Sequence, residues 1–254
     1  MTDLLVMVPT RGRRANCERL LKSFRETASP GTDLVFITDP DDDSYEGMDW
    51  GPADCGTLSP RGTLREKLNQ TATAFADAYP ALMWCGDDHV FHPPKEGQEP
   101  WDRLMLAALK GLGTCDRCRP GGQQDCVGHG WVYPDTVRRR DVPEIWLASS
   151  SLVKALGWFF PPHVNQFYGD NSIAELGKRA GLIRICPEAV IEHLHYSITP
   201  DVEHDEVYRE AEDTFGASDL QAFQQWRALQ LANDVAVLRR KFSPDVAWVL
   251  SRVA

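Results

Sequence analysis

Residues 82–91 read LMWCGDDHVF: an apolar run, a glycine, two adjacent aspartates and a histidine. Leu82 to Cys85 has the length and apolarity of a buried strand. Asp87 and Asp88 then set two like charges side by side at its end, which costs energy unless a cation answers them. A solvated surface loop is the bland answer. A divalent metal carrying phosphate is the sharp one.

The neighbouring runs give this strand its context. Leu4 to Val8 reads as another buried strand, broken by PTRGRR at residues 9–14. Asn16 can cap a helix reaching about Thr27, with Leu20, Leu21 and Phe24 on one face. Leu34 to Thr38 is a second strand, followed by DPDDDS. Thr63 to Ala78 reads as a helix leading into Leu82 to Cys85. This alternation predicts a mostly parallel sheet flanked by helices, a Rossmann-like α/β class. Ligands of such sheets sit outside the carboxyl ends of the strands. Three polar loops (PTRGRR, DPDDDS and GDDH) therefore converge on one crevice.

The second half is less regular. Trp101 to Leu109 and Ser150 to Leu156 read as helices, and Ile145 to Ala148 as a strand. Asn171 to Gly181 reads as a glycine-closed helix, with Asp170 or Asn171 as its cap. Leu182 to Ile185 and Val190 to Leu194 read as two strands. Ser218 is a plausible cap for a helix to about Lys241. It is expected to pack over the core, with a homodimer contact as the alternative.

A chain of 254 residues suits one large domain, or one domain with a small appendage. Its 27 basic and 37 acidic residues give a net charge of −10, a poor footprint for wrapping bare nucleic acid. No apolar run is long enough to span a bilayer. The opening MTDLLVMVPTRGRR lacks a basic segment before its short apolar run, so a cytoplasmic location is expected.

Oxygen ligands suit Mg2+ or Mn2+, which often share their sphere with substrate phosphates. Asp87 and Asp88 supply such oxygens, and Asp39, Asp41, Asp42 and Asp43 lie in the neighbouring loop. Arg11, Arg13 and Arg14 offer hydrogen bonds to phosphate, and Arg61, Arg65 and Lys67 form a second basic group. Solvated turns and helix faces are the competing readings of each. His193 and His195 stand two apart in IEHLHY, which on a strand puts both on one face as metal-ligand candidates. Asp170, in QFYGDN, is either a helix cap or a general base.

Cys115, Cys118, Cys126 and His129 read C-x2-C-x7-C-x2-H across a Pro-Gly-Gly turn. Two chelating pairs so spaced suit a tetrahedral structural Zn2+. Incidental thiols are the bland alternative.

The same segments resemble the GT-A fold glycosyltransferases, especially the family-2-like inverting enzymes, and within them chains of phage and actinobacterial type. LLVMVPTRGRRANCERLLKSF is similar to their opening strand, loop and helix. FITDPDDDSY resembles the nucleoside-recognising segment, LREKLNQTA the helix bordering the nucleotide, and MWCGDDHVF the DXD-type motif. The stretch from WLASSSLV to IEHLHY resembles the acceptor half. GDDH departs from the spaced D-x-D form, and GDN from the family's Glu-Asp base pair.

The resemblance implies a metal-dependent transferase moving a sugar from a nucleotide-diphosphate sugar to an acceptor hydroxyl, with inversion. It implies that Pro9, Thr10, Arg11, Arg13, Arg61 and Lys67 border the nucleotide and that Asp39 contacts base or ribose. Asp87 would reach ribose or metal, and Asp88 with His193 or His195 would hold Mn2+ or Mg2+. Asp170 would be the base and Asp135 would line the acceptor side. The catalytic domain would span 1–215, with a zinc knuckle inserted at 113–131 and a helical extension over 216–254. The acceptor, whether protein, glycan, modified nucleobase or small molecule, stays open. A phage-encoded chain would work in the host cytoplasm. The competing readings are a sugar nucleotidyltransferase, which the lack of a glycine-rich lysine signature disfavours, and a non-catalytic zinc-stabilised interaction module on the same shell.

Overall fold

The structure is a computed structural model that describes residues 3–51, 54–57, 62–115, 127–202 and 204–242. The first half keeps the expected strand and helix alternation and adds one strand to it: β1 (Leu4–Pro9), α1 (Arg14–Thr27), β2 (Thr32–Thr38), the unexpected β3 (Asp54–Thr57), α2 (Leu64–Phe75) and β4 (Ala81–Trp84). There follow β5 (His89–Phe91), α3 (Trp101–Lys110), β6 (Trp131–Asp135), β7 (Trp146–Ser149), α4 (Ser150–Leu156), α5 (Gly169–Ala180), β8 (Ile183–His193), α6 (Glu206–Leu229) and α7 (Leu231–Lys241). The strands lie in the order β3-β2-β1-β4-β7-β6-β8-β5.

The block β3-β2-β1-β4 is parallel. The sheet as a whole is mixed, which corrects the mostly parallel expectation. β7 runs antiparallel to both β4 and β6, and β5 antiparallel to β8. β6 reaches β7 through residues 136–145 with no helix between them. That ten-residue link is shorter than the dozen or so residues a parallel crossover takes, so the two strands pair antiparallel.

Residues of β1 alternate between two cores. Leu4, Val6 and Val8 pack with Leu20, Leu21 and Phe24 of α1 and with Trp101 and Met105 of α3. Leu5 and Met7 face Leu68, Leu152, Ile173, Leu176 and Leu238 on the other side. This two-residue period places helices on both faces of the sheet.

Several expected boundaries shift for local reasons. Asn16 lies inside α1, which begins at Arg14 after a left-handed Gly12. The two late strands are one, with a bulge where the pairing jumps from Pro134–Cys186 to Asp135–Val190. Pro187, which lacks an N–H, falls in that bulge. α5 is preceded by Tyr168 in the left-handed region, so neither Asp170 nor Asn171 is its N-cap. The C-terminal helix starts at Glu206, where Asp205 accepts a hydrogen bond from the Tyr208 N–H, and breaks at Gln230. Ser218 sits inside it, with its hydroxyl on the Phe215 carbonyl.

Two tests follow from this packing. A Cβ at Gly177 of α5 would stand 2.6 Å from the Ile183 Cβ, so Gly177→Ala is expected to cost about 1–3 kcal/mol of unfolding free energy in urea. His163 stacks on Trp226 at 4.5 Å, and burial holds its pKa down to about 4. The unfolded chain, with an ordinary histidine, binds that proton more readily, so stability falls from about pH 6.5 toward pH 4. His163→Asn should flatten that part of the stability profile.

Candidate functional site

A cleft of about 500 Å3 opens over the carboxyl ends of β1, β2 and β4. The loop after β1 supplies Thr10, Arg11 and Arg13, β2 supplies Asp39, α2 supplies Lys67, and the turn after β4 supplies Asp87 and Asp88. Pro9, His193 and His195 also line it. The three polar loops therefore meet as the alternation predicted.

The turn after β4 is tightly specified. A Cβ at Gly86 would lie 2.5 Å from Asp88 Oδ1, so a residue without a side chain is needed where the turn folds back. Asp87 and Asp88 are only 4% and 7% exposed, and each has its own partners. Asp87 accepts from the Thr10 hydroxyl at 2.5 Å and from Arg13 Nη1 at 3.4 Å. Thr10 Oγ1 lies 2.6 Å from the Tyr45 hydroxyl, which accepts from the Arg13 N–H at 3.2 Å. Since Thr10 donates to Asp87, it accepts from Tyr45. A directional chain of donors thus ends on the carboxylate.

Asp88 faces the opposite wall. It accepts from the Tyr208 hydroxyl of α6, lies 2.9 Å from His89 Nδ1 and 3.4 Å from His193 Nε2. The β5–β8 register pairs His89 with His193 directly, and their rings stack at 4.3 Å. Donor atoms of Asp88, His89 and His193 all lie within 4.8 Å of one another. This is a carboxylate and imidazole set suited to a divalent transition ion. Glu144 Oε2 stands 3.6 Å behind His193 Nδ1 and accepts from the Thr136 hydroxyl at 2.6 Å. It occupies the place of an outer carboxylate that orients a ligating histidine.

Electrostatics divides the two aspartates. Burial and then the neighbouring Asp88 charge push Asp87 up to about 6, against Arg13 and Thr10. Burial also acts on Asp88, but His193 and His89 overcome it and hold that carboxyl well below its usual range. Burial would lower the His193 pKa, yet Asp88 and Glu144 raise it to about 9. His89 is pushed down by burial and by His193. In the free protein Asp88 and His193 form an ion pair, with a neutral His89 stacked upon it.

At the other end, Asp39 is 3% exposed. Its Oδ2 accepts from Lys67 Nζ at 2.8 Å and from Arg11 Nη1 at 3.2 Å, while Oδ1 is buried with no hydrogen-bond partner. The rest of DPDDDS braces the first loop. Asp41 pairs with Arg11 at 2.8 Å, and Asp42 accepts from the Gly12 N–H at 2.8 Å. Arg13 also makes two 2.8 Å bonds to Asp205 and lies over the Tyr208 ring at 4.2 Å, tying this loop to α6.

His195 reaches the cleft from beyond the strand, and other expected residues lie off its lining. β8 ends at His193, so His195 does not share a strand face with it. Its Nδ1 instead accepts from the Ser197 N–H at 3.1 Å, and burial followed by Arg138 holds its pKa down to about 4. Asp170 is half-buried in the first turn of α5, off the cleft lining, where burial raises its pKa. Asp135 ends β6, accepts from the Val137 N–H at 2.9 Å and bonds Arg140. Arg14 bonds Glu18 and the Glu46 carbonyl, and Arg65 the Pro162 carbonyl, away from the cleft. Arg61, Cys118 and Cys126 lie outside the described residues. Cys115 is half-buried, and His129 is buried with Nδ1 2.6 Å from Ser151 Oγ and its ring stacked on Phe242.

His89, Glu144, Asp205 and Tyr208 join the site without having been assigned to it from sequence. His89 carried a signal, since it directly follows the aspartates. The other three reach the site only through tertiary packing.

No family model matches the sequence, and comparison with the curated proteins gives no match. Solved structures do resemble it. Glucosyl-3-phosphoglycerate synthase from Mycobacterium tuberculosis, solved with Mn2+, UDP and glucosyl-3-phosphoglycerate, aligns with a TM-score of 0.54 at 12% identity, over 89% of this chain and 79% of that one. GalNAc-T7 with UDP, GalNAc and Mn2+ gives 0.53 at 11% identity, over 92% and 57%. Mannosyltransferase PcManGT from Pyrobaculum calidifontis, with GDP-Man and Mn2+, gives 0.50 at 15% identity, over 93% and 73%. The chain spans 36% of Staphylococcus aureus TarS, at a TM-score of 0.51 and 12% identity.

The donor chain onto Asp87 is open to test. Thr10→Val removes both its hydroxyl donor and the acceptor for Tyr45, and should cost about 1–3 kcal/mol in urea unfolding, with Thr10→Ser largely restoring it. On these structural alignments the chain has the GT-A fold.

Proposed function

We propose that this chain is a metal-dependent glycosyltransferase that moves a sugar from a nucleotide-diphosphate sugar to an acceptor hydroxyl, with inversion. The observation that carries this reading is the pairing of two unusual groups in one cleft. A buried carboxylate oxygen of Asp39 has no hydrogen-bond donor, and donor atoms of Asp88, His89 and His193 converge within 4.8 Å of one another. A nucleobase or ribose supplies a donor to the first, and a divalent cation satisfies the second.

Under this reading the residues take the following roles. Asp39, held by Lys67 and Arg11, receives the nucleoside. Asp88 and His193 hold Mn2+ or Mg2+, with His89 as a third donor and Glu144 behind His193. The ion, when bound, neutralises charge that develops on the departing diphosphate. Arg13, already oriented by Asp87 and Asp205, offers a guanidinium to the same phosphates. Asp87, fixed by Thr10, faces ribose or ion. Asp170, in the first turn of α5 behind the Gln166–Phe167 wall, is the proposed base for the acceptor hydroxyl, a role that requires the acceptor to reach past that wall. Asp135 shapes the acceptor side through the loop it closes with Arg140.

The similar structures support this class of donor, because they were solved with UDP or GDP-Man together with Mn2+. Among the described residues no helix is long and apolar enough to cross a membrane. A structural Zn2+ at Cys115, Cys118, Cys126 and His129 is a separate part of the proposal and rests on their spacing. One zinc per chain surviving mild chelation, measured by elemental analysis, would support it.

The deciding experiment is calorimetric titration of UDP and of GDP into chelator-treated protein, with and without Mn2+. Binding of one of them only with metal, weakened at least about 100-fold by Asp88→Ala, is the expected result (about 2.7 kcal/mol). Absence of nucleotide binding under every metal tried would overturn the reading and favour a non-catalytic module. Incorporation of a nucleoside triphosphate instead would point to a nucleotidyltransferase. Asp39→Asn should weaken the nucleotide while leaving Mn2+ affinity within about twofold, since it removes one acceptor remote from the ion site.

A further inference from the structure

Asp219 lies in the middle of α6, is 1% exposed, and touches no group of the ion or nucleoside sites described above. Its carboxylate is nonetheless one of the most heavily hydrogen-bonded in the molecule. Oδ2 accepts from the backbone N–H groups of Asn165, Gln166 and Phe167 at 3.1, 2.8 and 2.9 Å. Oδ1 accepts from the Asn165 N–H at 3.0 Å and from its side-chain amide at 3.2 Å. Three successive backbone N–H groups converging on one point form an anion-binding nest, here filled by the chain's own carboxylate.

The segment so held is part of the cleft wall. Gln166 and Phe167 line it, and the next residues are the left-handed Tyr168 and the first turn of α5 with Asp170. The segment faces water on no regular ladder, since residues 157–168 form no helix or strand. Its other side is stitched to α2, where the Arg65 N–H donates to the Asn165 carbonyl at 3.1 Å. Asp219 supplies the fastening from the α6 side.

α6 also carries Tyr208, whose hydroxyl bonds Asp88. Eleven residues of helix separate Tyr208 from Asp219, about 16 Å along a rigid axis. Between them Ala211, Thr214 and Phe215 line the cleft. One helix therefore spans from the acidic turn to the Gln166–Phe167 wall and grips both.

We propose that Asp219 is a positioning residue that sets the Gln166–Phe167 wall and the approach of Asp170, the acceptor side of the cleft under the transferase reading on which the kinetic part of this inference rests. It acts through the loop and touches neither donor nor acceptor. Asparagine at this position keeps one oxygen but turns an amide NH2 toward backbone donors, which unseats the loop with little change in volume.

The test uses the full chain and the variants Asp219→Asn and Asp219→Ala. Hydrogen exchange followed by mass spectrometry should show at least about tenfold faster exchange in peptides covering 163–169, with the β1 and β8 peptides unchanged. Mn2+–UDP or Mn2+–GDP affinity should stay within about twofold. Turnover of the corresponding nucleotide sugar, with water or any accepted hydroxyl compound as acceptor, should show a kcat lowered about 10- to 100-fold at an unchanged donor KM. Unchanged exchange at 163–169, or faster exchange throughout the sheet, would overturn the proposal. So would a normal kcat beside a loosened loop. If the unaltered chain neither binds nor turns over nucleotide, the transferase reading fails by itself, and local exchange still decides whether Asp219 fastens the wall.

Discussion

The rest of the site depends on how Asp87 and Asp88 are buried together. Two adjacent carboxylates in a closed turn cannot both stay ionised without compensation. The chain answers each from a different quarter. Thr10 and Arg13, from the loop after β1, serve Asp87. His89, His193 and Tyr208, from β5, β8 and α6, serve Asp88. Elements far apart in sequence are thus drawn to one turn, and the cleft is the space they leave. The turn's backbone is fixed as well, since the Leu194 N–H donates to the Asp88 carbonyl and Cys85 bonds back to Met7.

This compensation also explains the division between the two carboxyls. Arg13 is shared between Asp87 and Asp205, at 3.4 Å from the first and 2.8 Å from the second, so it only partly offsets the burial of Asp87. Asp88 sits between two imidazoles and is held ionised. Of the pair, Asp88 is the one whose partners are themselves metal-ligand types. The sequence left open which aspartate and which histidine would share an ion. The geometry gathers Asp88 and His193 and places His195 on Ser197 instead.

What could be read from sequence follows from range. In the first ninety residues α1 joins β1 to β2 and α2 leads into β4, so apolar runs and polar loops foretell most of the parallel block and its crevice, though not the short edge strand β3. Asp39, Lys67 and the PTRGRR loop were legible on that logic alone. In the second half the same apolar runs say nothing of direction, and β7 enters the sheet antiparallel. The bulge at Pro187 made one strand look like two. His193 and His195 read as same-face neighbours through a two-residue period that runs past the strand's end; His195 still packs edge-on to His193 at 5.1 Å, but the ring stacked on His193 and sharing its donor set is His89, across the β5–β8 pair. Tyr208 is 120 residues from Asp88. No local pattern encodes such a contact; only the packing of α6 creates it.

The charge lining the cleft gives the last step. Arg11, Arg13 and Lys67 are its cations, against the carboxylates of Asp39, Glu66, Asp87, Asp88, Glu144 and Glu210. Each of the three cations is already bonded to at least one aspartate. Even with His193 charged, the lining is net negative. A bare diphosphate entering such a site meets repulsion and finds its guanidinium partners occupied. Under the proposed reading a divalent ion would change both conditions, adding positive charge beside Asp88 and letting a diphosphate compete with carboxylates for Arg13. The acidic cleft and the imidazole cluster are therefore two sides of one requirement. A cleft with this lining suits a phosphate ligand only when the ligand and the cation occupy it together.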